Sequence, residues 1–136
     1  MLSPTSETWR LFLHLLAASI WIGGQFVLAG VVPVVREANR ELLPKIAKRF
    51  AQLSWPAFAV VVLTGFWNVA EINVSDHNTA YQVTLFLKIA FAISSAVAAF
   101  IHSVANGKLG KALGGAISLL FGLGAIFIGL LLQTGS

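Results

Sequence analysis

The chain is predicted to be an all-α integral membrane protein, a four-transmembrane-helix bundle, on three observations. Of its 136 residues, 57% are hydrophobic and only 10% charged, whereas soluble domains carry about 25% charged residues. Four stretches, 10–35, 54–72, 80–105 and 111–133, are each apolar over about the 20 residues that a bilayer core requires. The charges that remain fall mostly in the connections between them. No length is left over for a soluble domain, so residues 1–136 read as a single membrane domain whose partner is the lipid bilayer.

The stretch 10–35 reads as a retained helix. Arg10 alone precedes a run too long for a signal-peptide core, and that run contains Trp21 and Gln25 without a clear cleavage site. Pro33 near its far end is expected to bend or loosen it. The segment 36–53 carries Arg36, Arg40, Lys45, Lys48 and Arg49 against Glu37 and Glu41. Leu42, Leu43, Ile46, Phe50 and Leu53 recur in it at helical spacing, which predicts a short basic amphipathic connection lying on the cytoplasmic membrane surface. The second helix is expected to start with Ser54 as N-cap and Pro56 in its first turn. The third spans 80–105. The fourth is rich in glycine, with Gly110, Gly114, Gly115, Gly122, Gly124 and Gly129. Gly110 and Gly114 form a small-xxx-small pair that lets helices approach closely. This serves packing within the chain, a homodimer, or docking in a larger membrane complex.

The connections set the orientation. The 36–53 segment and the Lys108–Lys111 connection are basic, while the one holding Glu71 and Asp76 has no Lys or Arg. By the positive-inside rule both basic connections face the cytoplasm. Both termini then lie outside, in a multi-pass protein of the cell's inner (plasma) membrane. The net charge of +4 therefore belongs to interfacial loops and does not indicate nucleic acid. The chain has no cysteine, which excludes disulfides and thiolate metal sites. Its one methionine is Met1, so the soft sulfur ligands preferred by copper(I) are missing.

Polar side chains recur on one face of three helices. The first carries Arg10, His14, Ala18, Trp21 and Gln25; the second Thr64, Asn68 and Glu71, with Trp67 beside them; the third Tyr81, Thr84, Lys88, Ser95 and His102. The fourth offers Ser118 and Gln133 and reads as a buttress. At 1.5 Å per residue, His14, Thr64, Trp21, Trp67, Asn68 and Lys88 reach similar depths and are expected to line one outer-leaflet cavity. His102 lies roughly 21 Å beyond Lys88 and reads as a satisfied or interfacial histidine, and His77 as a solvated loop residue. Trp9, Trp55 and Tyr81 read as interfacial aromatics.

Placing a lysine at mid-membrane costs about 2.5–3.5 kcal/mol, so a chain that keeps His14 and Lys88 there is expected to use them. A haem b site is one reading. His14 would be the axial ligand and Lys88 a second, neutral ligand or a charge partner. Arg10 would pair with a propionate, Trp21 and Trp67 would pack on the ring, and Asn68 would line the pocket. Copper binding or transport through the histidines is a second reading. A cofactor-free accessory subunit of a larger membrane complex is the third. Plain structural roles also fit: a helix–helix hydrogen bond for His14, a snorkelling or Glu71-paired Lys88, an interfacial anchor for Arg10.

The run LHLLAASIWIGG at 13–24 followed by Pro33, WPAF at 55–58, TGFWN at 64–68 and the pair Leu87-Lys88 together resemble the copper-resistance protein D (CopD) family, over roughly residues 10–105. The chain is more distantly similar to HemJ-type protoporphyrinogen oxidases, small four-helix membrane proteins that bind haem b. Their first-helix histidine and third-helix lysine fall on His14 and Lys88, and Lys48-Arg49-Phe50 before Pro56 resembles their basic run. The resemblance implies a haem-dependent membrane oxidoreductase. The segment 31–36, VVPVVR, departs from that pattern. It lacks the further aromatic and charged residues and the second histidine, so the specific oxidase activity is not implied for this chain.

Overall fold

A computed structural model describes residues 1–136 and is helical throughout, without strands. The long helices are α1, Ser6–Ala38; α2, Leu43–Ala70; α3, Thr79–Val104; and α4, Lys108–Thr134. All four are long and apolar enough to cross a membrane. Single 3-10 turns, Arg40–Leu42 and Val74–Asp76, lie between α1 and α2 and between α2 and α3.

Helix ends follow local chemistry. Thr5 and Thr8 form a reciprocal capping box at the start of α1. Asn78 caps α3, its Oδ1 accepting from the Tyr81 amide at 2.9 Å. Asn39 ends α1 in extended backbone, and its side chain accepts from the Glu41 amide to open the 3-10 turn.

The predicted boundaries around 36–53 need correction. That segment is not a separate surface helix. α1 continues through Pro33 to Ala38, and residues 43–53 are the first turns of α2. Pro44 sits in the opening turn, where its missing N–H is harmless, and nothing between it and Ser54 breaks a helix. Ser54 is therefore no N-cap. Its hydroxyl donates to the Phe50 carbonyl at 2.7 Å, and the residue is 1% exposed. Pro56 lies inside α2 rather than in its first turn, so the Gln52 carbonyl loses its helical donor there.

The chain divides into two compact units, Met1–Asn73 and Val74–Ser136. Each is an antiparallel hairpin of two long helices. In the first, contacts run in order from the open end to the turn: Arg10 with Glu71, His14 with Thr64, Trp21 with Phe58 and Trp55, and Gly24 against Phe50. In the second, Lys88 lies against Gly129, Phe91 against Phe121 and Gly124, Ser95 against Ser118, and Ala98 and His102 against Gly114.

Both hairpins bury mainly small residues, with Trp21 and Ile22 of the first as exceptions, and turn most large apolar ones outward. Buried positions include Ala17, Ser54, Ala57, Thr64, Ser95, Ala98, Gly114, Ser118 and Gly122. Phe66, Phe86, Leu63 and Leu120 are each about two-thirds exposed or more. A soluble protein would not present this surface; helices packing in lipid do, because small residues let backbones approach while the large ones meet acyl chains. The α4 glycines thus serve contacts within the α3–α4 hairpin. A Cβ at Gly114 would lie 2.9 Å from the His102 backbone nitrogen and 3.0 Å from the Ala98 carbonyl oxygen. Gly114→Ala should therefore force the helices apart and destabilise the protein by about 1–3 kcal/mol. Gly23, with nothing near its virtual Cβ, should accept alanine with a gain in helix stability of up to about 1 kcal/mol. Unfolding in mixed detergent micelles checks both, and equal effects would contradict the packing.

Candidate functional site

Five of the six sequence-predicted site residues, Arg10, His14, Trp21, Trp67 and Asn68, lie in the α1–α2 hairpin; Lys88 lies in the α3–α4 hairpin.

The centre of the first hairpin's polar seam is a hydrogen bond between His14 Nδ1 and Thr64 Oγ1, 2.8 Å long. Thr64 is 5% exposed. Its hydroxyl also lies 2.6 Å from the Val60 carbonyl and 3.2 Å from that of Val61. Carbonyls only accept, so the single hydroxyl hydrogen goes to Val60, with Val61 as a weaker second acceptor. The Thr64 oxygen then has only lone pairs to offer His14, and Nδ1 must carry the proton. In the neutral ring the remaining lone pair is on Nε2. Metal-binding histidines are set up in this way, by a second partner that fixes the tautomer and the ring plane. Gly65 lies alongside, its virtual Cβ 3.7 Å from His14 Cε1.

One turn towards the open end, Arg10 reaches Glu7 at 3.9 Å and Glu71 at 4.0 Å. Its side chain is only 12% exposed, and its Nε is buried without an acceptor. Glu71 also accepts from the Trp67 indole at 3.2 Å. The Asn68 Oδ1, on the next turn of α2 after Thr64, is buried without a donor. Arg10 is thus more than an interfacial anchor: it joins both helices through a carboxylate. Glu71, one of the alternatives considered as a partner for Lys88, pairs with Arg10. That pairing was within reach of the sequence. Once His14 meets Thr64 in an antiparallel hairpin, Arg10, four residues earlier, falls opposite the turn that ends in Glu71.

Trp21 is 4% exposed and belongs to an aromatic cluster, 4.6 Å from Phe58 and 5.2 Å from Trp55 between ring centroids. Trp55, expected as an interfacial aromatic, also packs within the hairpin on Trp21 and Phe58. Trp67 is 40% exposed. Phe58 and Phe50 gave no sequence signal beyond helical spacing.

In the second hairpin, Lys88 extends along α4, where a Cβ at Gly129 would lie 3.2 Å from Nζ. His102 Nδ1 donates to the Lys111 carbonyl, which gives it the partner that the sequence did not reveal. Gly115 allows this, since a Cβ there would lie 3.2 Å from the same nitrogen. His77 stacks on Tyr81, with centroids 4.1 Å apart. No three His, Cys, Asp or Glu side chains gather into a group that could hold a metal ion.

The assigned tautomer is testable in solution. In protein labelled with ¹⁵N-histidine, the His14 signals should show a protonated Nδ1 and a lone pair on Nε2, and Thr64→Val should abolish that preference. A lone pair on Nδ1 in the unmodified protein would contradict the geometry. Comparison of the chain with protein-family models, curated proteins and solved structures gives no match.

Proposed function

We propose that the chain binds haem b through His14 and has a redox role in the membrane. The observation that carries this reading is the Thr64 bond, which leaves the neutral His14 ring with its lone pair on Nε2. Histidine is a common axial ligand to haem iron, and axial identity together with hydrogen bonding to the ligand sets what the iron does. The neighbouring groups fit the rest of the cofactor. Arg10 holds its two carboxylates only at the outer limit of ion pairing. A guanidinium prefers carboxylate oxygens at about 2.7–2.9 Å, so this one has capacity for a propionate. The buried Arg10 Nε and Asn68 Oδ1 without partners are the kind of donor and acceptor that a polar ligand edge satisfies. Haem b, when bound, would supply one-electron chemistry at its iron. The chain's part is to hold the ligand nitrogen, fix its ring and compensate the propionate charge. The more distant resemblance to the HemJ-type proteins points the same way, whereas the CopD family name implies copper. Copper is the weaker reading because no cluster of three ligating side chains supports it.

The test is a reduced-minus-oxidised absorption spectrum with metal analysis on protein purified in mild detergent from haem-supplied cells. A Soret band at about one haem per chain, lost in His14→Ala, is expected. Thr64→Val, which keeps the shape and removes the acceptor, should weaken haem retention about 10–100-fold. A colourless, iron-free sample would overturn the reading. Copper in that sample would favour metal handling, and co-purification with a larger complex would favour an accessory subunit.

We further infer that the Val74–Asp76 connection faces outward and the start of α4, at Lys108 and Lys111, faces the cytoplasm, on the charge asymmetry between the two ends. A reporter active only outside the cytoplasm should work when fused after Asp76 and fail after Lys108; the reverse pattern would invert the topology.

A further inference from the structure

α2 is longer than a bilayer core requires. Its 28 residues extend roughly 42 Å at 1.5 Å per residue, against a hydrocarbon thickness of about 30 Å. The surplus lies at its start, because the charges stop at Arg49 and the mainly apolar stretch begins at Leu53. The turns before Leu53 therefore stand in the headgroup layer. On them, Lys45, Lys48, Arg49 and Gln52 recur at helical spacing on one side and border a shallow cleft open to the surface. All four are exposed. Arg49 Nη1 donates to Gln52 Oε1 at 3.5 Å. The chain's two ion pairs both use Arg10, so no carboxylate neutralises these three cations. Leu42 and Leu53, at the two ends of the same segment, are 41% and 67% exposed and continue the surface in apolar form.

We propose that this cleft is a binding site for the phosphate headgroup of an anionic phospholipid. Lys48 and Arg49 give charge-assisted hydrogen bonds to the phosphate, and Lys45 and Gln52 flank it. A lipid fits better than a soluble anion because cationic and apolar surfaces adjoin, with Leu42 just before α2 and Leu53 on it, as headgroup and acyl chain do. The site is independent of the haem reading, since none of its residues belongs to the His14 seam.

Native mass spectrometry of the full chain in mild detergent, titrated with phosphatidylglycerol, cardiolipin or phosphatidylcholine, tests this. The two anionic lipids should be retained and phosphatidylcholine should not. Lys48→Gln with Arg49→Gln should weaken retention about fivefold for each charge removed. Lys108→Gln with Lys111→Gln, an equal loss of charge elsewhere, should leave it unchanged. If the first double variant loses helix content by circular dichroism, Lys48→Gln alone carries the comparison. Equal weakening in both pairs would mean diffuse attraction and overturn the site, as would equal retention of phosphatidylcholine. Displacement of the lipid by inorganic phosphate at matched ionic strength would reassign the cleft to a soluble anion and overturn the lipid assignment.

Discussion

A hydroxyl on a membrane-spanning helix, whether buried between helices or turned towards lipid, has no water to bond, so its own helix supplies the acceptor. Ser19 donates to the Leu15 carbonyl, Ser54 to Phe50, Thr64 to Val60, Thr84 to Ala80 and Thr134 to Leu130, each one turn back. Such back-bonding makes a small polar residue self-sufficient. Ser54 can then be buried between helices without a donor or acceptor on the partner helix of the hairpin. Ser95 departs from the pattern and gives its hydrogen to the Ser118 carbonyl across the α3–α4 contact at 2.7 Å, fixing the register there. Thr64 adds a second task. With its hydrogen committed to Val60, its oxygen can only accept, and the protonation of His14 follows.

The same apolar surroundings explain why the interiors are built of small residues. Where lipid is as apolar as leucine, burying leucine gains little, and helices associate by close van der Waals contact and a few hydrogen bonds. Ser54, Ser95 and Ser118 are the most deeply buried side chains, at 1% exposure each, and Trp21, at 4%, is the one aromatic buried among such residues. Gly114 meets the α3 backbone directly, and Gly115 lets the His102 ring reach the Lys111 carbonyl. The exposed leucines and phenylalanines, which would threaten a soluble protein with aggregation, are the surface that the bilayer solvates.

The helix count and the polar seams were legible in the sequence because both depend on local pattern: long apolar runs, and polar residues three and four apart. The His14–Thr64 level was legible too, since two antiparallel helices of similar length match depths by simple rise. What the pattern hid was continuity and partner choice. Charge at 36–53 read as a surface segment, yet Pro44 starts a helix that charge does not interrupt, and Pro56 does not end it. With α2 beginning at Leu43, Trp55 lies well inside the helix and packs on Trp21, a contact that its position in the sequence did not reveal. His102 lacked a visible partner because a backbone carbonyl leaves no trace in composition.

The unsatisfied atoms are unevenly placed, and their placement bears on the site. Three buried side-chain atoms have no hydrogen-bond partner: Arg10 Nε, Asn68 Oδ1 and Gln25 Nε2. Leaving a buried polar atom unpaired costs about 1–3 kcal/mol, and this chain otherwise avoids that cost even at single hydroxyls. Gln25 lies three turns along α1 from His14. Arg10, however, is one turn before His14, and Asn68 is one turn after Thr64. A donor and an acceptor left open beside a histidine of fixed tautomer concentrate the local cost at one end of one hairpin. Sequences that are consistent at every other level break the rule where function requires it. Under the proposed haem reading, the α1–α2 seam around His14 is where this chain does so.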